Sequence, residues 1–373
     1  MVLAVLAWGL STLAIAQEGS YILKRQIFSV PLSSINFSPD GSLLLAGFTD
    51  GSFRIMNPDS FVPGLEVDNA HYKAVNAIDM PPKMDLILTA GHNAIKIWDR
   101  NGTHLFDWNK HATTIWNAEI SKDGLWAVSS AFNKTFLLWD VYNNLLVESF
   151  RGHEDVCLAV SISPDVRLIA SGSNDLSIKL WDLETRQVIS TLEGPTQDIY
   201  DLEFSPDGRL LVACSKDNSS RIYDVEGERL LHILKGHQDM VLEAEFSPDG
   251  RYLITGSADH SMILWDVPSG EQIYHFLDIE AALMDLVYHP DGHSVYSISM
   301  EGDLTRWSVH PEIFVLKYYE KAYLQELSAD PVFEPKRKGE SKKDYEARQK
   351  EAEAKKAVII DHYYKKYLNE RDR

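Results

Sequence analysis

Gly152–Asp182 reads GHEDVCLAVSISPDVRLIASGSNDLSIKLWD. A His-headed loop opens it, three short segments of alternating apolar character follow between turn residues, and a Trp-Asp pair closes it, which predicts three antiparallel strands. The phrase recurs along the chain. Its Trp position falls at Met56, Trp98, Trp139, Trp181, Tyr223, Trp265 and Trp307, in steps of 42, 41, 42, 42, 42 and 42 residues. Self-similarity at a fixed period of this size marks modules that bury their faces on their neighbours.

Other markers keep the same phase. A Ser-Pro-Asp-type turn lies 17 residues before the Trp position at Pro39, Pro164, Pro206, Pro248 and Pro290, and Lys122 of SKDG holds the place in the third copy. Pro fixes φ, Asp bonds its own backbone and Gly tolerates positive φ, so each copy carries its own hairpin turn. On these residues the chain resembles the WD-repeat β-propeller family from about Tyr21 to Ser308. The resemblance implies an all-β fold, a seven-bladed β-propeller of four-stranded antiparallel blades. The blade cores are expected at about 28–57, 71–99, 111–140, 152–182, 194–224, 236–266 and 278–308 within a propeller spanning 20–309.

The resemblance also implies a buried chain in each blade of a loop His, a second-strand Ser or Thr, a turn Asp and the third-strand Trp. The full set is present at His153, Ser171, Asp175 and Trp181, and again at His237, Thr255, Asp259 and Trp265. Partial sets are His71, Thr89 and Trp98, and His111, Ser129 and Trp139, the latter with Asn133 in place of Asp. Blade five has Pro195 and Tyr223, blade seven Ile279 and Glu301, and blade one Phe28, Ala46 and Met56 at the set's positions. These three are expected to rest on apolar packing.

Val2–Ala16 is mostly apolar and ends Ala14-Ile15-Ala16, resembling a secretory leader over 1–16, although no Lys or Arg precedes it. It is shorter than the ~20 apolar residues of a membrane span. Export to the periplasm or outside the cell is therefore expected. The alternatives are an apolar strand packed on the propeller and a cytoplasmic protein with an uncleaved N-terminus. A strand at 20–25 is expected to close blade seven, removing the open sheet edge, with Ile313–Tyr318 as the competing candidate. Beyond it, 310–373 reads as an extension made of a linker and a charged helix. In that helix Glu346 and Lys350, and Glu351 and Lys355, stand one turn apart. The helix is expected to pack on the propeller's side, with a free partner-binding helix or a flexible tail as alternatives.

The 373 residues carry 36 basic and 55 acidic side chains, a net charge of −19. From His310 onward the count is 15 basic and 13 acidic, which leaves −21 on the residues before it. Such a surface repels phosphate backbones, so nucleic acid and anionic lipid are poor partners. Cys157 and Cys214 lie in strands of different copies and read as small core residues.

No phosphate loop, H-E-x-x-H, C-x-x-C or G-x-S-x-G motif is present. His71, His111, His153 and His237 share one repeat phase, which puts each in a different blade and argues against a metal site. No cofactor is expected, and no enzymatic activity.

What remains is the entrance of the ring, where relatives of this type recruit partners. Positions carried over from the resemblance are Trp116, Leu158, Tyr200, Leu242 and Met284, then Val156, Asp198 and Met240, then Phe132 and Met300. Apolar groups facing solvent there imply contact with a protein or peptide. The expected function is a non-enzymatic interaction scaffold. The alternatives are a secreted propeller enzyme or carbohydrate-binding module, and an intracellular WD-repeat scaffold.

Overall fold

The computed structural model describes residues 21–82, 85–277 and 279–371; the expected leader over 1–16 lies outside them. Ile22–Trp307 forms one compact unit, a seven-bladed propeller. Each blade is a four-stranded antiparallel sheet. Blade four runs Cys157–Ile162, Leu168–Ser173, Ile178–Asp182 and Val188–Leu192 from its inner to its outer strand.

The first hairpin turn of a blade is set by chemistry the sequence repeats. Ser38 Oγ donates to Asp40 at 2.6 Å, and Ser121, Ser163, Ser205 and Ser247 do the same to Asp123, Asp165, Asp207 and Asp249 at 2.6–2.7 Å. The next position needs positive φ. Gly fills it at Gly41, Gly124, Gly208, Gly250 and Gly292, but blade four has Val166 at φ 60°, a strain of roughly 1–2 kcal/mol for an L-residue.

The blades share their cores. Leu88, Ile97 and Trp108 of blade two pack with Ile120, Ala127 and Trp139 of blade three, and Ile178 and Leu180 of blade four with Leu202 and Tyr223 of blade five. The ring closes between its ends: Ile22–Ile27 pairs antiparallel with Asp303–Ser308, Ile22 opposite Trp307 and Ile27 opposite Asp303. Ile313–Tyr318, the competing candidate, is helical.

A second compact unit holds Ser308–Arg371 with Tyr21. In it α1 (Pro311–Ala329) starts with Pro311 at its first position and His310 as the cap, Nδ1 accepting from Glu312 N at 3.2 Å. A 3₁₀ turn, Pro331–Phe333, leads to α2 (Lys342–Arg371). The aromatic side chains of α2 turn toward α1: Phe314 stacks on Tyr367 at 5.5 Å and Tyr318 on Tyr367 at 4.9 Å, with Tyr319 beside Tyr363 at 5.5 Å. Lys356 pairs with Glu312 at 2.8 Å and Lys355 with Asp330 at 2.9 Å. The extension is thus a pair of helices joined by the turn, the second of them the charged helix expected from the sequence. Glu351 pairs with Lys355 as the spacing predicts, whereas Glu346 is drawn to Lys342. Among the described residues no helix is long and apolar enough to cross a membrane.

Candidate functional site

The repeated His residues sit under the blades as structural links. His153 bonds Asp175 through Nδ1 at 2.9 Å and Ser171 through Nε2 at 2.8 Å, and Trp181 Nε1 donates to the same Ser171 Oγ at 2.8 Å. His237, Asp259, Thr255 and Trp265 repeat the arrangement at 3.1, 2.8 and 2.9 Å. Burial alone would raise the Asp175 carboxyl, but bonds from Ser177, Glu154 N and His153 overcome it and hold the group at about 2. His71 bonds Thr89, and His111 bonds Ser129, with Trp98 and Trp139 donating to the same hydroxyls. Burial presses both imidazoles down to about 4. His111 Nδ1 has no hydrogen-bond partner, because Asn133 stands where the Asp would be.

Blades five and seven correct the expectation of purely apolar support. Arg221 takes the place of the His in blade five and bonds Asp217 at 2.8 and 3.2 Å. Tyr223 donates to Glu193 O at 3.3 Å. In blade seven Trp307 Nε1 still donates to Ser297 Oγ at 2.8 Å. Among the described residues no three His, Cys, Asp or Glu side chains are grouped to hold a metal ion. Cys157 and Cys214 are free and buried, and burial pushes both thiols up.

The inner strands of all seven blades surround a central cavity of about 840 Å³. Trp116, Tyr200, Met240, Leu242, Met284 and Met300 reach its wall. Phe132, 46% exposed, meets Trp116 edge-on at 5.4 Å, and Met300 is 57% exposed. Leu158 departs from the expectation. It is 3% exposed and off the cavity wall, since Trp116 and Tyr200 of the flanking blades approach to 6.5 Å across blade four. Val156 is half-buried, its carbonyl accepting from Asn174 N at 2.9 Å, and Asp198 is engaged by Lys216 at 3.1 Å.

Deeper in the cavity lie residues the sequence reading missed: Asp79, Glu119, Asp201, Glu203, Glu243, Glu245 and Asp285. An inner strand has one edge facing the channel with no neighbour, so its N–H groups need partners. The preceding blade supplies them. Asp79 accepts from Ile120 N at 2.8 Å, Glu119 from Ile162 N at 3.1 Å, Asp201 from Ala244 N at 3.2 Å, Glu203 from Phe246 N at 2.8 Å and Asp285 from Ile35 N at 2.8 Å. Burial raises these carboxyls, Asp79 to about 6, Asp201 and Asp285 to about 7 and Glu119 to about 8. Among the described wall residues Lys122 is the one basic side chain. The signal was available in sequence: acids recur in repeat phase at 201, 243 and 285, and at 203 and 245.

The model of the WD domain, G-beta repeat, matches residues 24–57, 65–99, 144–182, 186–224 and 228–266. The chain belongs to the WD-repeat family. Blade three's first three strands and those of blade seven fall outside the matches, and the structure nonetheless completes both as four-stranded sheets of this WD-repeat propeller. Similar curated proteins include Nuclear distribution protein PAC1 of Candida dubliniensis, 27% identical over 149 residues, 38% of this chain and 29% of the relative. The protein of the same name from Candida albicans is 28% identical over 137 residues, 35% of this chain and 28% of the relative. The aligned part of the chain thus spans under a third of these relatives' length. A WD-repeat propeller fits a protein-interaction scaffold.

Proposed function

We propose that this protein is a non-enzymatic scaffold that holds a protein or peptide partner at the mouth of the central channel. The observation that carries it is that the cavity wall holds Trp116, Tyr200, Met240 and exposed Met300, with exposed Phe132 packed edge-on against Trp116. A side chain left in water at such a place gains on being covered, and truncating an anchor residue in a protein interface typically costs ~1–4 kcal/mol of affinity. Affinity capture with the intact protein, compared with Phe132→Ala combined with Met300→Ala, tests it. The expected result is at least a tenfold loss of the captured partner with an unchanged thermal melt. Capture of the same partner in the same yield by both proteins refutes it.

The scaffold acts inside the cell in this reading, in preference to export. The support is that the matched relatives are named for nuclear distribution. Fractionation of cells expressing the native chain decides between the compartments, and recovery from the culture medium or periplasm would reverse the assignment.

A further inference from the structure

We infer that the partner carries a basic side chain, arginine by preference, and lowers it through the apolar mouth into the carboxylate-lined channel. The inference rests on the entrance reading above and adds the chemistry of what enters.

Three features of the wall converge on it. First, the apolar mouth and the acidic interior share the same strands. In blade six Leu242 lies at the mouth, Glu243 follows it and Glu245 lies three residues on, roughly 3 and 10 Å down the strand at the rise of an extended chain. Asp201 and Asp285 occupy the position of Glu243 in the two neighbouring blades. A guanidinium that passes this mouth therefore meets carboxylates contributed by three consecutive blades.

Second, the channel holds unspent acceptor capacity. An ionised carboxylate accepts at about four sites; Glu203 accepts from Phe246 N, Asp285 from Ile35 N and Leu286 N, and Asp201 from Ala244 N and Leu202 N besides its bond with Glu243, which leaves acceptor sites on each. Tyr288, on the same wall and 4% exposed, has a phenol oxygen with no hydrogen-bond partner. A planar cation with several N–H donors matches a set of acceptors spread around a ring.

Third, the charge balance is one-sided. The residues before His310 carry a net −21, and Lys122 is the one described basic residue of the wall. Burial keeps part of the carboxyl set protonated in the absence of a cation, with Glu119 at about 8 and Asp201 and Asp285 at about 7. An entering cation favours their ionised forms, so binding releases protons to solvent. The mouth aromatics favour guanidinium over ammonium, because the flat, weakly hydrated group stacks on rings.

The test uses the full chain and four peptide pools. Each pool has randomised flanking positions and one fixed central residue: arginine, lysine, citrulline or glutamate. Binding is read by fluorescence anisotropy for the native protein, for Asp201→Asn combined with Glu243→Gln, for Asp285→Asn, and for Phe132→Ala combined with Met300→Ala. The amides keep an oxygen for the backbone N–H bonds, and the single variant Asp285→Asn stands if the double variant unfolds. The expected result is at least tenfold stronger binding of the arginine pool than of the citrulline pool. That preference should collapse toward unity in the channel variants, and calorimetry in two buffers of different ionisation enthalpy should show proton release. Equal binding of the two pools, or a preference that survives the channel variants, overturns the inference. If pools bind equally but only the rim variant loses them, the entrance reading stands while the basic partner falls. No binding from any pool removes the inference, and the capture experiment above then judges the entrance reading by itself.

Discussion

Asn133→Asp should stabilise the propeller, and the structure shows why. In blade four one Asp175 oxygen accepts from Ser177 N at 3.0 Å and Ser177 Oγ at 2.6 Å, and the other from His153 Nδ1 at 2.9 Å and Glu154 N at 2.8 Å. Asn133 reproduces only the first half, its Oδ1 accepting from Thr135 N and Oγ1 at 3.0 Å. The amide nitrogen that stands for the second oxygen cannot accept, and His111 Nδ1 is left buried without a partner. Replacing that nitrogen by oxygen creates a charged hydrogen bond, worth ~1.5–3 kcal/mol, offset by the cost of burying a new carboxylate. A net gain of about 1–2 kcal/mol is expected, read as a higher urea midpoint. The gain should vanish in the His111→Leu background, which a double-mutant cycle measures. The His111 imidazole should also move up from about 4. Its depressed folded value means that its stabilising contribution is present above the unfolded 6.5 and lost as pH falls toward 4, so the variant should tolerate acid better. An unchanged midpoint in a folded variant, or a gain that persists without His111, refutes the reasoning.

Two further outcomes are expected. Trp181→Ala removes a buried ring that donates to Ser171 and packs on Phe136 and Phe150 at 5.4 and 5.2 Å; it should cost roughly 3–5 kcal/mol in a denaturation midpoint, and a melt equal to the native one would contradict that burial. Glu119→Gln should stabilise at pH 9 and change nothing at pH 4. Burial and the nearby Asp79 lift the Glu119 carboxyl to about 8, so its contribution is present below the unfolded 4.5 and lost as pH rises through 8, whereas the amide has no proton to lose and keeps an acceptor for Ile162 N. Parallel stability curves for the two proteins from pH 4 to 9 would disprove it.

The fold was legible because the period is written in residues with few alternatives: Trp for the deep third-strand site, and Asp-Gly for the turn. The same phase places Trp116, Tyr200, Leu242 and Met284 on the channel wall. It fails at Leu158, since phase fixes the position along a strand but not whether two larger rings from adjacent blades close over it. Arg221 was missed for a different reason. The family pattern looks for a ring nitrogen in the loop, and here a guanidinium four residues after Asp217 does the bonding from the third strand. The channel acids were hidden by strand alternation, in which Glu203 and Glu245 read as ordinary solvent-facing positions. Only closure of the sheets into a circle turns that solvent side into an enclosed space.

Because blade seven borrows its outer strand from Ile22–Ile27, the propeller is finished by its first strand meeting its last. At ribosomal speeds of about 5–20 residues per second, some 15–60 s separate the emergence of Ile27 from that of Ser308. Throughout that interval the growing arc has an unclasped ribbon at one end and an uncovered blade at the other. Nascent chains should therefore depend on chaperones late in synthesis, and a partner or appended domain fused tightly ahead of Ile22 would hinder the final clasp more than one fused after Arg371.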